Sequence, residues 1–107
     1  MSDWIKVAHV ADLPDPGKVT LEVAESMVVL FHVDGKFYCI DDVCTHDGGP
    51  LGEGPMDGYH IICPRHGARF DYRTGKVVSM PATEDVRAHE VKVEGEEVYV
   101  RLNSDTA

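Results

Sequence analysis

Two short stretches, CTHDGGP at 44–50 and CPRHGARFD at 63–71, each set a cysteine within three positions of a histidine. The pairs are Cys44 with His46 and Cys63 with His66, and residues 47 to 62 separate them. Two thiolates and two imidazoles make a complete set of four ligands, for one metal ion or for a small cluster. Either half alone is a weak signal; both together in one short chain are a specific one. Two sites accept these donors. One is a tetrahedral zinc. The other is a two-iron cluster with thiolates on one iron and imidazoles on the other. Common zinc sites of this composition take both cysteines from one knuckle and both histidines from one helix. Here each loop supplies one of each, an interleaving that suits a cluster gripped from two sides, with a structural zinc module as the competing reading.

Such loops need a rigid scaffold, and the rest of the chain reads as strands. Apolar and β-branched residues alternate or cluster in VTLEV (19–23), MVVLFHV (27–33), KFYCI (36–40), YHIIC (59–63), HEVKV (89–93) and EVYVRL (97–102). Asp34-Gly35 and Glu94-Gly95 join neighbouring runs, and Thr74-Gly75 lies between FDYR and KVVS. These are hairpin signals, so adjacent strands are expected to pair antiparallel. Only TEDVRAH (83–89) has room for a turn of helix. Gly48, Gly49, Gly52, Gly54 and Gly58 crowd into the stretch 46–58, which marks a loop excursion between the two ligand pairs. The expected architecture is all-β: one domain over 1–107, an antiparallel sandwich or barrel, with a small two-loop subdomain across about 41–82.

Charge narrows the partners. Ten basic against nineteen acidic residues give −9, which excludes nucleic acid and anionic membrane as partners and favours a protein with a basic face. No window approaches the ~20 apolar residues of a membrane span, and MSDWIKVAHV lacks the basic start and apolar core of a leader, so a cytoplasmic location is expected. Three cysteines cannot complete a disulfide framework. The third, Cys39 in KFYCI, reads as a buried structural thiol without a function. His9, His32, His60 and His89 lack a cysteine at ligand spacing and read as surface or hydrogen-bonded core residues. Trp4 reads as an anchor for a first strand. Asp41, Asp42, Asp47, Glu53 and Asp57 read equally well as a solvated rim or as a docking patch.

The paired box resembles that of the Rieske [2Fe–2S] proteins, Cys-x-His followed by Cys-x-x-His. Along essentially its whole length the chain is similar to the small Rieske ferredoxins of bacterial ring-hydroxylating oxygenase systems. The resemblance implies a Rieske-type sandwich carrying one [2Fe–2S] cluster. It implies Cys44 and Cys63 on the inner iron, with His46 and His66 on the outer iron near the surface. It also implies a monomeric electron carrier, not an enzyme by itself, that takes one electron from an NAD(P)H-dependent flavoprotein reductase and passes it to a terminal non-haem iron oxygenase. A runner-up of similar size and fold is the Rieske-like subunit of an assimilatory NAD(P)H nitrite reductase, which often departs from the full ligand set kept here. By the same resemblance, Gly48, Gly49 and Gly67 bring backbone N–H groups to the cluster sulfurs, Pro64 stiffens the second loop, and Pro81 belongs to a covering segment.

Respiratory Rieske proteins add a disulfide between the loops and hydroxyls bonded to the cluster. Here Gly49 and Arg65 stand at the extra cysteine positions, and Ala68 and Phe70 at the hydroxyl positions. Without those donors the reduced charge is less stabilised. That places the expected potential at the low end of the Rieske range of roughly −150 to +300 mV.

Overall fold

The computed structural model describes residues 4–43, 50–64, 67–80 and 84–103. Ten strands run in chain order: β1 Ile5–His9, β2 Gly17–Val23, β3 Ser26–Val33, β4 Lys36–Asp41, β5 Met56–Asp57, β6 His60–Ile62, β7 Arg69–Asp71, β8 Lys76–Ser79, β9 Ala88–Glu94 and β10 Glu97–Arg101. They form a six-stranded sheet in the order β1-β10-β9-β4-β3-β2 and a four-stranded sheet in the order β5-β6-β7-β8. Every pairing is antiparallel, so the all-β expectation holds. Among the described residues the only helical element is a single 3-10 turn at Val10–Asp12. The helical turn expected in 83–89 is absent over 84–89, where the chain bends at Glu84 and enters β9. Gly75 explains the local path: the Val86 N–H donates to the Gly75 carbonyl at 2.8 Å, tying the segment flat against the β7–β8 turn.

The layers follow from β3. Its run MVVLFHV is almost continuously apolar because both of its faces are covered. Val28 and Leu30 point into one core with Leu13, Val23, Cys39, Val98 and Val100. Val29, Phe31 and Val33 point the other way, into a second core with Ile40, Leu51, Ile61, Cys63, Phe70 and Tyr72. The first core fills the space between β2-β3-β4 and β1-β10-β9; the second joins β3-β4 to the four-stranded sheet. β4 repeats the division, with Cys39 in the first core and Ile40 in the second. Aromatic rings bind the second core: Phe31 stacks on Tyr72 at 4.3 Å between centroids, and the Tyr72 hydroxyl donates to the Gly58 carbonyl at 2.7 Å. Burial pushes the Tyr72 phenol up to about 12.

The hairpin Asp34-Gly35 takes φ of 54° and 77°, as a two-residue turn of this composition should. Between β9 and β10 the loop is Gly95-Glu96, one residue later than expected, because Glu94 pairs with Glu97 and leaves glycine at the first turn position. Between β2 and β3 the turn is Ala24-Glu25 with φ of 49° and 71°, a left-handed pair without glycine or asparagine. Trp4 lies under two cations, Lys92 Nζ at 4.6 Å and Arg101 Cζ at 4.8 Å from its ring centre, which fixes the start of β1 against β9 and β10.

Candidate metal centre

Of the four expected ligands only Cys63 falls within the described residues; Cys44, His46 and His66 lie outside them, as do Asp47, Gly48, Gly49, Arg65 and Pro81. Cys63 is a free thiol, 1% exposed, and directly follows β6. Its N–H donates to the Ala68 carbonyl at 2.7 Å, and its carbonyl accepts the Gly67 N–H at 3.0 Å. Those two bonds tie Cys63 to Gly67 and Ala68, just before β7, so the chain reverses between β6 and β7. Gly67 makes the reversal at φ 78°. Its amide was expected to face the cluster sulfurs; instead the Cys63 carbonyl uses it. Ala68 and Phe70, at the two hydroxyl positions, are fully buried apolar residues. Pro64 is exposed at the start of the reversal.

The first loop leaves the end of β4 and returns at Leu51, which is fully buried in the second core. Asp41 and Asp42, adjacent at the exit, have separate structural tasks. Asp41 accepts from Arg87 Nε at 3.0 Å and from His89 Nε2 at 2.7 Å, locking β4 to β9. His89 Nδ1 accepts the Asn103 N–H at 3.0 Å, which makes Nε2 the proton-bearing nitrogen of a neutral ring. Burial pushes the Asp41 carboxyl up, but the His89 and Arg87 hydrogen bonds outweigh it and hold the group below the usual carboxylate range. Asp42 accepts from the Leu51 and Gly52 amides at 2.8 and 2.7 Å. Asp57 pairs with Arg69 at 2.8 Å. Three of the expected rim acids are thus engaged in the fold, while Glu53 is exposed.

Glycine brings the two loops together. A Cβ on Gly54 would collide with the Ile62 carbonyl, one residue before Cys63, so only glycine lets the first loop pass this close to the second. The short strand β5, hidden within the Gly/Pro stretch, continues that contact by pairing Met56 with Ile61. The sequence carried no strand signal for it, since the glycines of 46–58 read as a loop excursion and no apolar alternation marks 56–57.

The remaining candidates divide as expected. Cys39 is 1% exposed in the first core, and burial, with a smaller contribution from the Asp41 charge, pushes its thiol up to about 12. It packs among aliphatic side chains in the first core, away from Cys63 in the second. His32 Nδ1 lies 2.8 Å from the Leu13 carbonyl and its ring stacks on Phe37. Among the described residues no group of three or more His, Cys, Asp or Glu converges to hold a metal ion. No helix there is long and apolar enough to cross a membrane.

Comparison with known proteins gives the following. The family model described as the Rieske [2Fe-2S] domain matches residues 3–101. The ferredoxin component of the naphthalene 1,2-dioxygenase/salicylate 5-hydroxylase systems of Ralstonia sp is 34% identical over 100 residues, covering 94% of this chain and 96% of that protein. The ferredoxin of carbazole 1,9a-dioxygenase from Nocardioides aromaticivorans IC177 superposes with a TM-score of 0.89 at 29% identity, over 94% of this chain and 98% of that one. A ferredoxin solved in a complex of reduced oxygenase and oxidized ferredoxin in carbazole 1,9a-dioxygenase is 35% identical, with a TM-score of 0.85 over 92% of each chain.

Proposed function

The chain belongs to the Rieske [2Fe–2S] domain family, and on that premise we propose that it holds its cluster through Cys44, His46, Cys63 and His66 and serves as the one-electron shuttle of a ring-hydroxylating oxygenase system. When bound, the cluster supplies a single-electron redox centre. Cys63 fits that role: a buried, unpaired thiol at the end of a strand, on a reversal closed by its own backbone, is fixed in place as a ligand must be. Cys44 and Cys63 would hold one iron, and His46 and His66 the other. Neutral imidazoles in place of two thiolates remove negative charge from the centre and ease its reduction. The buried apolar Ala68 and Phe70 offer no hydroxyl to the reduced centre, which supports a potential at the low end of the Rieske range and a donor fed by NAD(P)H.

The observation that carries the carrier reading is the end-to-end match with ferredoxin components, on 94% of this chain and 96% of the Ralstonia relative. The matched relatives are themselves ferredoxin components and not the terminal oxygenases of their systems. The terminal oxygenase is therefore the electron acceptor and a flavoprotein NAD(P)H reductase the donor. Both meet a monomeric, strongly acidic protein in the cytoplasm through basic faces.

Substitution at His66 tests the ligand set. H66A loses the cluster, and an H66A protein with an unaltered Rieske EPR signal contradicts the assignment. The potential is expected to fall with rising pH once the oxidised-state histidines begin to lose their outer ring protons, because the reduced, more negative centre holds those protons more tightly. A potential constant into strongly alkaline solution counts against histidine ligation.

A further inference from the structure

Gly52 is gripped from both sides. Its N–H donates to Asp42 Oδ1 at 2.7 Å, beside the Leu51 N–H on the same oxygen at 2.8 Å. Its carbonyl accepts from Lys18 Nζ at 2.6 Å. Its Cα presses on β2, where a Cβ would collide with Thr20 Oγ1. Asp42 is itself held, since its N–H donates to the Met27 carbonyl at 3.0 Å. One carboxylate oxygen therefore joins the backbone two residues before Cys44 to the backbone five residues after His46, and an ammonium from β2 completes the tie.

Fixing the ends of a loop removes the chain entropy that otherwise opposes holding its interior residues in one geometry. A cluster with two ligands on one such loop tolerates displacements of only a few tenths of an ångström. We propose that Asp42 and Lys18 are positioning residues of the electron-transfer centre, setting the base of the loop that carries Cys44 and His46. This rests on the Rieske reading. Asp42 and Lys18 carry opposite charges and grip the two consecutive peptide groups on either side of the Gly52 Cα, so they act through geometry and not through a net field at the centre.

The test compares D42A, D42N and K18M with wild type, each as the full chain with its cluster. The readouts are cluster half-life, EPR line width, and amide exchange at Leu51 and Gly52. D42A is expected to lose its cluster at least about tenfold faster, because it removes both hydrogen bonds that the Asp42 carboxylate accepts from Leu51 and Gly52. Its EPR lines broaden and both amides exchange faster, while Val28 and Leu30 in the first core stay protected. K18M moves the same readouts less. D42N, whose amide oxygen still accepts both N–H groups through weaker neutral bonds, returns half-life and line width at least halfway from D42A to wild type. The inference is overturned if D42A and K18M match wild type, or if D42N is as impaired as D42A, which makes the charge and not the tie responsible. Wild-type protein without iron and sulfide defeats the Rieske reading itself, and the inference with it.

Discussion

Cys39 and Cys63 are equally buried, each 1% exposed, yet only Cys63 belongs to the proposed ligand set. Cys39 lies within β4, paired across the ladder to Leu30 and to His89 and surrounded by aliphatic side chains. Burial holds its thiol protonated, up to about 12. Cys63 stands where a strand stops, its N–H and carbonyl both used to reverse the chain. A ligand needs a thiolate delivered at the tip of a rigid element; a core thiol needs only to fill space. The two cores differ in the same sense. The one holding Cys39 closes a sandwich, while the one holding Cys63 fastens a small sheet and two loops to that sandwich.

The sharpest way to break this comparison is to exchange each thiol for a methyl group. C63A is expected to lose iron and sulfide completely, whereas C39A keeps both and costs about 1 kcal/mol in denaturant unfolding. Full cluster content in C63A, or its loss in C39A, would reverse the assignment.

The adjacent residues Leu30 and Phe31 sharpen it next, since they face opposite cores. Truncation to alanine is expected to cost roughly 2–5 kcal/mol at either position. F31A should also release the cluster faster at temperatures where the fold survives, and L30A should not. Calorimetry followed with the visible absorbance of the cluster separates the two.

A smaller effect comes from the polar joint between β4 and β9. Asp41 is depressed in the folded state, so its contribution is complete above the ordinary carboxylate pKa of about 3.9 and disappears as the pH falls through the lower folded value. D41N is expected to cost about 2 kcal/mol near neutral pH. Its unfolding curve should converge with that of wild type in acid, as the pH falls through the depressed folded-state value. A constant difference across the whole acid range would mean that the loss lies in packing.

The smallest concerns the Ala24-Glu25 turn, where both residues sit at positive φ. Replacing Glu25 with glycine should stabilise by about 0.5–1 kcal/mol without altering cluster content. A destabilised E25G would show that the Glu25 side chain holds the turn.

That turn also marks where sequence reading stopped. The strands on either side, 19–23 and 27–33, were legible from their apolar runs, and Asp34-Gly35 announced its hairpin. Ala24-Glu25 carries no such signal, because the long pairing of β2 with β3 imposes a left-handed geometry that these residues do not favour locally. The double-sided burial of β3 could be suspected from its unbroken apolar run, but the identity of each covering layer depends on contacts distant in sequence. The tasks of Asp41 and Asp42 were illegible for the same reason. Adjacent acids at a loop mouth look alike until His89 and Arg87 are brought to one and Leu51 and Gly52 to the other. Cys-x-x-His drew attention to the stretch after β6, but the engagement of Gly67 with Cys63 itself was not legible.

The most direct test of the electron-carrier account is EPR of the dithionite-reduced protein, with iron, zinc and acid-labile sulfide counted on the same sample. The account expects two irons and two sulfides per chain and a rhombic signal whose average g lies below that of an all-cysteine cluster. A colourless, EPR-silent protein containing zinc and no sulfide would contradict it.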